Sequence, residues 1–141
     1  MAESRLIHDT ITGRIDHVDA PVRWLYDSGD PYAVTVDLAG HWRAAGADGP
    51  APIWTFGRSV LIAGLHGAPA EAEEFADVRF ALTGHWLTMR LSSPDGCVHV
   101  RFVADPVRRF ATRTQRLVGV GRESRHLDVD SAIAQLLGGV S

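Results

Sequence analysis

The chain has 141 residues, a net charge of −3, 45% hydrophobic residues and 22% charged residues. These values suit one folded domain with its own core and argue against wholesale disorder. No apolar run approaches the ~18 residues that cross a bilayer. The charged N-terminus lacks the apolar centre of a signal peptide. We therefore expect a cytoplasmic protein that does not insert into membranes.

The cysteine and the basic residues exclude two kinds of covalent chemistry. Cys97 is the single cysteine, so an internal disulfide is excluded. All fourteen basic residues are arginine, and without lysine the chain has no amine side chain for Schiff-base chemistry. Half of the arginines lie in residues 97–126, together with only two of the seventeen acidic residues. This segment predicts one electropositive surface in an otherwise acidic protein.

The first half of the chain is predicted to be mostly strands. Apolar and polar residues alternate from the start, and turn residues separate the apolar runs. Residues 39–52 are rich in Gly, Ala and Pro, which predicts a loop. The predicted strands are Leu6–Val18, Val22–Tyr26, Tyr32–Leu38 and Ile53–Phe56.

The second half of the chain is predicted to contain both helices and strands. A short helix is predicted over Val60–Leu65 with Ser59 as its N-cap, and residues 66–75 form an acidic connection. Three strands follow, and then a helix capped by Asp105 that runs to about Val118. A last helix covers about residues 130–137, and residues 137–141 are a frayed tail. The three strands are Asp77–Leu82, Trp86–Leu91 and Cys97–Val103.

Runs of adjacent strands with helices between them predict an antiparallel sheet with helices packed on it. The fold class is therefore α+β, in one domain that covers residues 1–141. The longer helix has an apolar stripe that should face the sheet. The stripe consists of Val107, Phe110, Ala111, Thr114 and Leu117.

The residues give little support for catalysis. The seven histidines are scattered and the lone cysteine lacks a partner, which argues against a metal site. No serine lies in a nucleophile-elbow frame. Gly119-Val120-Gly121 follows a helix and lacks the third glycine of a dinucleotide motif. We predict no enzymatic activity, no metal and no cofactor.

Five residues are candidates for binding a partner. Four arginines lie opposite the apolar stripe of the longer helix, where we expect no acid to neutralise them. The fifth candidate is a tryptophan that the predicted loop should expose, whereas Trp54 and Trp86 should lie in the core. The row of four arginines is either a solvated helix face or a contact for an acidic partner or a nucleic-acid backbone. The candidates are Arg108, Arg109, Arg113, Arg116 and Trp42.

Four segments resemble motifs of the SsgA-like family of actinobacterial sporulation and cell-division proteins. They are Tyr26–Val34 (YDSGDPYAV), Trp54–Leu65, Leu91–Gly96 and Leu117–Glu123. Ser59 and Gly119 depart from the motifs, at a cap and a turn. The matching positions to which we assign structural roles are Tyr26, Asp27, Asp30, Pro31, Tyr32, Trp54, Arg58, Gly64, Gly121 and Glu123.

The resemblance implies a curved sheet akin to that of the Whirly single-stranded nucleic-acid-binding proteins, and a homotrimer. It also implies a non-enzymatic regulator of septation, recruited to division septa, whose partner is FtsZ or a paralogous SsgA-like protein. The alternative is a single-stranded nucleic-acid-binding module. The net negative charge argues against that alternative, so we do not expect nucleic acid as a partner.

Overall fold

The computed structural model describes residues 4–67 and 77–124. This part of the chain contains seven strands and three helices, whose order agrees with the prediction except for one additional helix after the third strand. The elements are β1 (Leu6–Ile15), β2 (Val18–Asp27), β3 (Ala33–Asp37), α1 (Ala39–Ala44), β4 (Ile53–Gly57), α2 (Arg58–Leu65), β5 (Val78–Thr83), β6 (Trp86–Ser93), β7 (Gly96–Val103) and α3 (Ala104–Leu117).

The seven strands form one antiparallel sheet that curls into a half-barrel, with the order β4-β3-β2-β1-β7-β6-β5. Neighbouring strands are consecutive in the chain, except at the centre of the sheet. There β1 meets β7 through two residue pairs only, Gly13 with Phe102 and Arg14 with Arg101. The predicted fold class, a curved antiparallel sheet with helices packed on it, is confirmed.

The core lies on the inner face of the sheet, under α3. Alternate residues of the strands point inward, and Trp24 of β2 is fully buried among the rings of Phe56, Phe102 and Phe110. The apolar stripe of α3 covers this layer, as predicted, because its i, i+3, i+4 and i+7 positions share one helix face. Its fully or almost fully buried members are Val107, Phe110, Ala111 and Thr114.

Close approach of α2 to the sheet depends on a glycine. A Cβ atom at Gly64 would lie 2.5 Å from Cβ of Phe80 on β5, well inside contact distance. Glycine is thus the residue that allows the helix backbone to rest directly on this strand.

The predicted first strand, Leu6–Val18, is wrong at its end. A tight turn at Asp16 and His17 separates β1 from β2, and Asp16 has a positive φ of 53°. The strand β2 then begins at Val18 and continues through Pro21, whereas the prediction left a break between Val18 and Val22. β3 pairs only with residues 23–25 of β2, so Pro21 has a neighbouring strand on one side only, where a proline is tolerated.

The prediction of a loop over residues 39–52 missed helix α1. Local composition favoured a loop, but contacts with distant residues hold the helix. His41 is buried, and its Nε2 donates a hydrogen bond of 2.8 Å to the carbonyl oxygen of Gly13. Gly40 lies so close to Pro21 that a Cβ would be 2.6 Å from the Pro21 carbonyl oxygen.

The predicted helix caps are also wrong. The residue before α2 is Gly57 rather than Ser59, and the residue before α3 is Val103 rather than Asp105. Both helices follow directly from strands, so the chain enters each helix from an extended residue without a side-chain cap. Residues 68–75 of the predicted connection at 66–75, the last helix and the tail lie outside the described residues. Within the described ranges, no helix is long and apolar enough to cross a bilayer.

Candidate functional site

The turn between β2 and β3 is held by its own polar groups. Oδ1 of Asp27 accepts a hydrogen bond of 2.8 Å from the Gly29 amide, and the Asp27 carbonyl accepts one of 3.0 Å from the Asp30 amide. The buried Tyr26 hydroxyl donates to the Pro31 carbonyl oxygen at 2.9 Å. The first motif therefore encodes a defined turn, in which Asp27 serves the backbone.

Arg58, the first residue of α2, lies beside this turn and is only 1% exposed. Its amide donates to the Tyr32 carbonyl at 2.7 Å. Its guanidinium carbon lies 5.2 Å from the centre of the Tyr26 ring, within the range of a cation–π contact. Burial is the main reason that the pKa of Tyr26 is raised to about 12. Arg58 thus joins the turn to the start of α2 through its amide and its guanidinium.

The same guanidinium binds the end of α3. Nη1 donates to the carbonyl oxygens of Thr114 and Val118 at 3.1 and 2.6 Å, and Nη2 donates to Oε1 of Glu123 at 2.6 Å. The Thr114 carbonyl also accepts a hydrogen bond of 2.9 Å from the Val118 amide, whereas the Val118 carbonyl lies beyond the last hydrogen bond of the helix and needs a side-chain donor. A cation at this end also complements the helix dipole. Arg58 therefore satisfies the end of α3. We call Tyr26, Arg58, Thr114, Val118 and Glu123 the Arg58 cluster.

Glu123 is the counter-ion of the Arg58 cluster. Its Oε2 also accepts a hydrogen bond of 2.8 Å from the amide of Gly121, where φ is 87°. Glycine adopts this backbone conformation without strain. The hydrogen bond from Arg58 is the main reason that the pKa of Glu123 lies below its ordinary value. The fourth motif thus supplies both the Glu123 carboxylate and the turn at Gly121 that directs this carboxylate towards Arg58.

This lowered pKa predicts an acid-dependent part of stability. Because the folded-state pKa of Glu123 is lower than the unfolded one, its contribution is fully present above the unfolded value and is lost as pH falls through the folded value. We expect the difference in unfolding free energy between the wild type and Glu123→Gln to shrink as pH falls from about 7 to about 3. Urea unfolding of both proteins across this range measures it. A difference that does not vary with pH would contradict the assignment.

The Arg58 cluster brings together residues from three of the four motifs, although they are distant in sequence. Of the remaining motif positions, Trp54 of β4 is half-buried against the core, and Gly64 lies against β5. Arg58 and Glu123 are hydrogen-bonded to one another and to backbone groups, so their arrangement serves cohesion of the fold. No group of three potential metal-ligating residues occurs in residues 4–67 and 77–124.

The predicted arginine stripe on α3 is only partly free. Arg108 pairs with Asp105 at 3.1 Å, and Arg113 pairs with Asp9 of β1 at 2.6 Å. Our expectation that no acid neutralises the stripe is wrong for these two. Arg109 and Arg116 are exposed, and neither forms an ion pair with another residue in the described ranges.

The tryptophans differ from expectation at two positions. Trp42, expected in an exposed loop, is half-buried in α1, and its indole nitrogen is buried without a hydrogen-bond partner among the described residues. Trp86, expected in the core, lies half-buried on the outer face of the sheet beneath Arg101. The fully buried tryptophan is instead Trp24.

Sequence reasoning missed a second basic surface, on the outer face of β6 and β7. We call Trp86, Arg90, His99 and Arg101 the outer patch. Arg90 also donates through Nε to the exposed thiol of Cys97 at 3.0 Å, and this hydrogen bond is the main reason that the pKa of the thiol is lowered. The alternation of these residues along the strands was visible in the sequence. The register that places them side by side was not.

The curled sheet, with α2 and α3 fixed on it by a buried arginine, defines a small α+β half-barrel domain with exposed arginines on two faces. The family model described as "Streptomyces sporulation and cell division protein, SsgA" matches residues 20–123. The chain therefore belongs to the SsgA family of sporulation and cell-division proteins, as the motifs predicted.

Two relatives and one solved structure illustrate the relationship. The chain is 39% identical to the sporulation-specific cell division protein SsgB of Salinispora tropica, over 81% of this chain and 77% of the relative. It is 31% identical to SsgB of Streptomyces coelicolor, over 83% and 81%. The crystal structure of an SsgA-like sporulation-specific cell division protein from Thermobifida fusca has a TM-score of 0.74 and 26% identity, covering 96% of this chain and 98% of that one.

Proposed function

We propose that the protein is a non-enzymatic regulator of septation, a homo-oligomeric adaptor that recruits FtsZ or a paralogous SsgA-like protein to division septa. Membership of a sporulation and cell-division family supports the cellular role. The motif residues of the Arg58 cluster contact each other and the backbone, so they hold the fold together. This suits a protein whose fold serves to present a binding surface.

The observation that carries the proposal is the pair of exposed arginines on α3. Arg109 and Arg116 are seven positions apart, which places them about 10.5 Å apart along one side of the helix. Arginine forms bidentate bonds with carboxylates, so this face suits an acidic surface on a partner. Arg108 and Arg113 flank the face but would have to exchange Asp105 and Asp9 for the partner.

An oligomer would strengthen such a contact. A trimer would present three copies of the α3 face to a filament that itself repeats a binding site. Linked sites raise avidity well above that of one contact. A weak contact per subunit would then be enough for binding to polymerised FtsZ while free FtsZ subunits are bound poorly. Trp42 is half-buried, so we place the contact on α3 and not on α1.

Co-sedimentation with GTP-polymerised FtsZ from the same organism tests this proposal. We expect the wild type to pellet with polymer and to stay in the supernatant after disassembly. Arg109→Glu combined with Arg116→Glu should reduce binding by about tenfold, because both charge-assisted contacts become repulsive.

The matched control is Arg5→Glu combined with Arg43→Glu, which changes the charge equally at two other exposed arginines. Equal loss in both double variants would show that only net charge matters and would remove the α3 face from the proposal. Absence of polymer-dependent pelleting by the wild type would overturn direct recruitment of FtsZ.

A further inference from the structure

The outer patch occupies the face of the sheet opposite the core. In β6 and β7 the buried residues Met89, Val100 and Phe102 point inward, so Arg90, His99 and Arg101 point outward. The register places Arg90 directly opposite His99, and Arg101 opposite Thr88. Helix α3 packs on the inner face, so the outer patch is separate from the proposed FtsZ contact.

Positive charge dominates the part of this face that β6 and β7 form. Strands β5, β6 and β7 contain no acidic residue. Within the described ranges, neither Arg90 nor Arg101 forms an ion pair. A guanidinium that forms no ion pair can make charge-assisted hydrogen bonds to a carboxylate of another molecule.

Arg101 is already positioned for such an anion. Its guanidinium carbon lies 4.6 Å from the centre of the Trp86 ring. A cation–π contact of this kind restricts the long side chain before any partner arrives, which reduces the entropy lost on binding. The contact with Trp86 is made by the π-electrons of the ring, and carboxylates bind the N–H groups at the edge of the guanidinium. Arg and Trp are also the residues most enriched at energetic centres of interfaces.

The spacing of the two arginines matches an extended acidic chain. Arg90 and Arg101 are diagonal neighbours on adjacent strands, with separations of about 7–8 Å. Residues i and i+2 of an extended segment lie on the same face about 6.6 Å apart. We propose that the outer patch binds an extended protein segment with acidic residues at alternate positions, whose carboxylates pair with Arg90 and Arg101. This occupant is a second partner, independent of FtsZ binding at α3.

An acidic peptide fits the surface better than a nucleic acid. Binding of single strands relies on aromatic faces on which bases stack, and the Trp86 face is already occupied by Arg101.

Fluorescence anisotropy with a labelled (Glu-Thr)5 peptide tests the proposal at low ionic strength, where exposed charges are least screened. A (Gln-Thr)5 peptide and a dT15 oligonucleotide serve as comparison probes. We expect Arg90→Glu with Arg101→Glu to weaken binding of the acidic peptide by about tenfold or more. The matched Arg5→Glu with Arg43→Glu double variant should leave it within about twofold.

Two conservative variants distinguish a formed site from a diffuse basic field. Arg101→Lys keeps the charge but removes the planar fork, and we expect about threefold weaker binding. Trp86→Leu leaves the net charge unchanged but frees Arg101 from its stacking contact, so binding should weaken similarly. Binding that both variants leave unchanged would overturn the proposal, as would tighter binding of dT15 or equal binding of the two peptides.

The thiol of Cys97 provides a second measurement that does not depend on the peptide label. It is exposed and touches Arg90, so a bound acidic segment should slow its reaction with a thiol reagent. We expect protection by (Glu-Thr)5 and none by (Gln-Thr)5. Equal reaction rates with either peptide would show that the acidic peptide binds elsewhere. None of these outcomes depends on whether the protein pellets with FtsZ.

Discussion

Replacement of Arg58 by alanine is expected to lower the free energy of unfolding by about 3–5 kcal/mol, the range seen when one member of a buried ion pair is removed. The guanidinium donates to two carbonyls and one carboxylate, and it is 1% exposed. Its loss leaves the carbonyls at the end of α3 without their side-chain donor and Glu123 without its counter-ion. The midpoint of urea unfolding measures the effect.

Two further variants show what the arginine contributes. Arg58→Lys keeps the positive charge, but one ammonium group cannot bind Thr114, Val118 and Glu123 in the same geometry. We expect it to be destabilised as well, though less than Arg58→Ala. The control Arg109→Ala removes an exposed arginine and should stay within about 0.5 kcal/mol of the wild type. If Arg58→Ala is no less stable than that control, the Arg58 cluster does not hold α3 to the fold.

Replacement of Gly64 by valine is expected to cost about 3 kcal/mol, at the upper end of overpacking in a folded core. A Cβ at this position would meet Cβ of Phe80 at 2.5 Å and its Cγ at 3.3 Å. The Cβ atom of Phe80 is fixed by the backbone of β5, so rotation of the side chain cannot remove the shorter contact. Helix α2 must therefore move away from β5, which would expose part of Leu61 and Leu65.

The matched control is Gly57→Val at the start of the same helix. A Cβ at Gly57 would have its nearest contacts at 3.6 and 3.7 Å, which are ordinary van der Waals distances. Its φ of −68° and ψ of 133° suit a β-branched residue. We expect this variant to remain within about 1 kcal/mol of the wild type. Similar unfolding midpoints for both variants would contradict the packing argument.

The strands and the α3 stripe could be predicted because their signals are local. Alternation of period two marks β3 to β7, and the spacing of Val107, Phe110, Ala111 and Thr114 marks the buried face of α3. The turn at Asp16 was missed because the alternation continues across it without a glycine or proline. Helix α1 was missed because contacts with Gly13 and Pro21, both distant in sequence, hold a segment whose composition favours a loop.

The candidate site was less predictable because it depends on register and on distant contacts. The motifs identified Arg58 and Glu123 as important, but nothing local indicated that they pair 2.6 Å apart. The α3 arginines were visible as a stripe, whereas the pairing of Arg113 with Asp9 required the packing of α3 against β1. The outer patch arises from cross-strand register, which the sequence does not specify without the turn lengths.

The short ladder between β1 and β7 has a consequence for how the sheet assembles. The other five strand pairings join consecutive strands, so each half of the sheet can form from contacts that are near in sequence. The β1–β7 ladder alone joins strands that lie far apart in the chain, and it offers two residue pairs to offset a large loop-closure entropy. The entropic barrier to folding is thus concentrated at the β1–β7 ladder. Completion of the half-barrel depends on core residues from both sides of this ladder that pack together, such as Trp24 and Phe102.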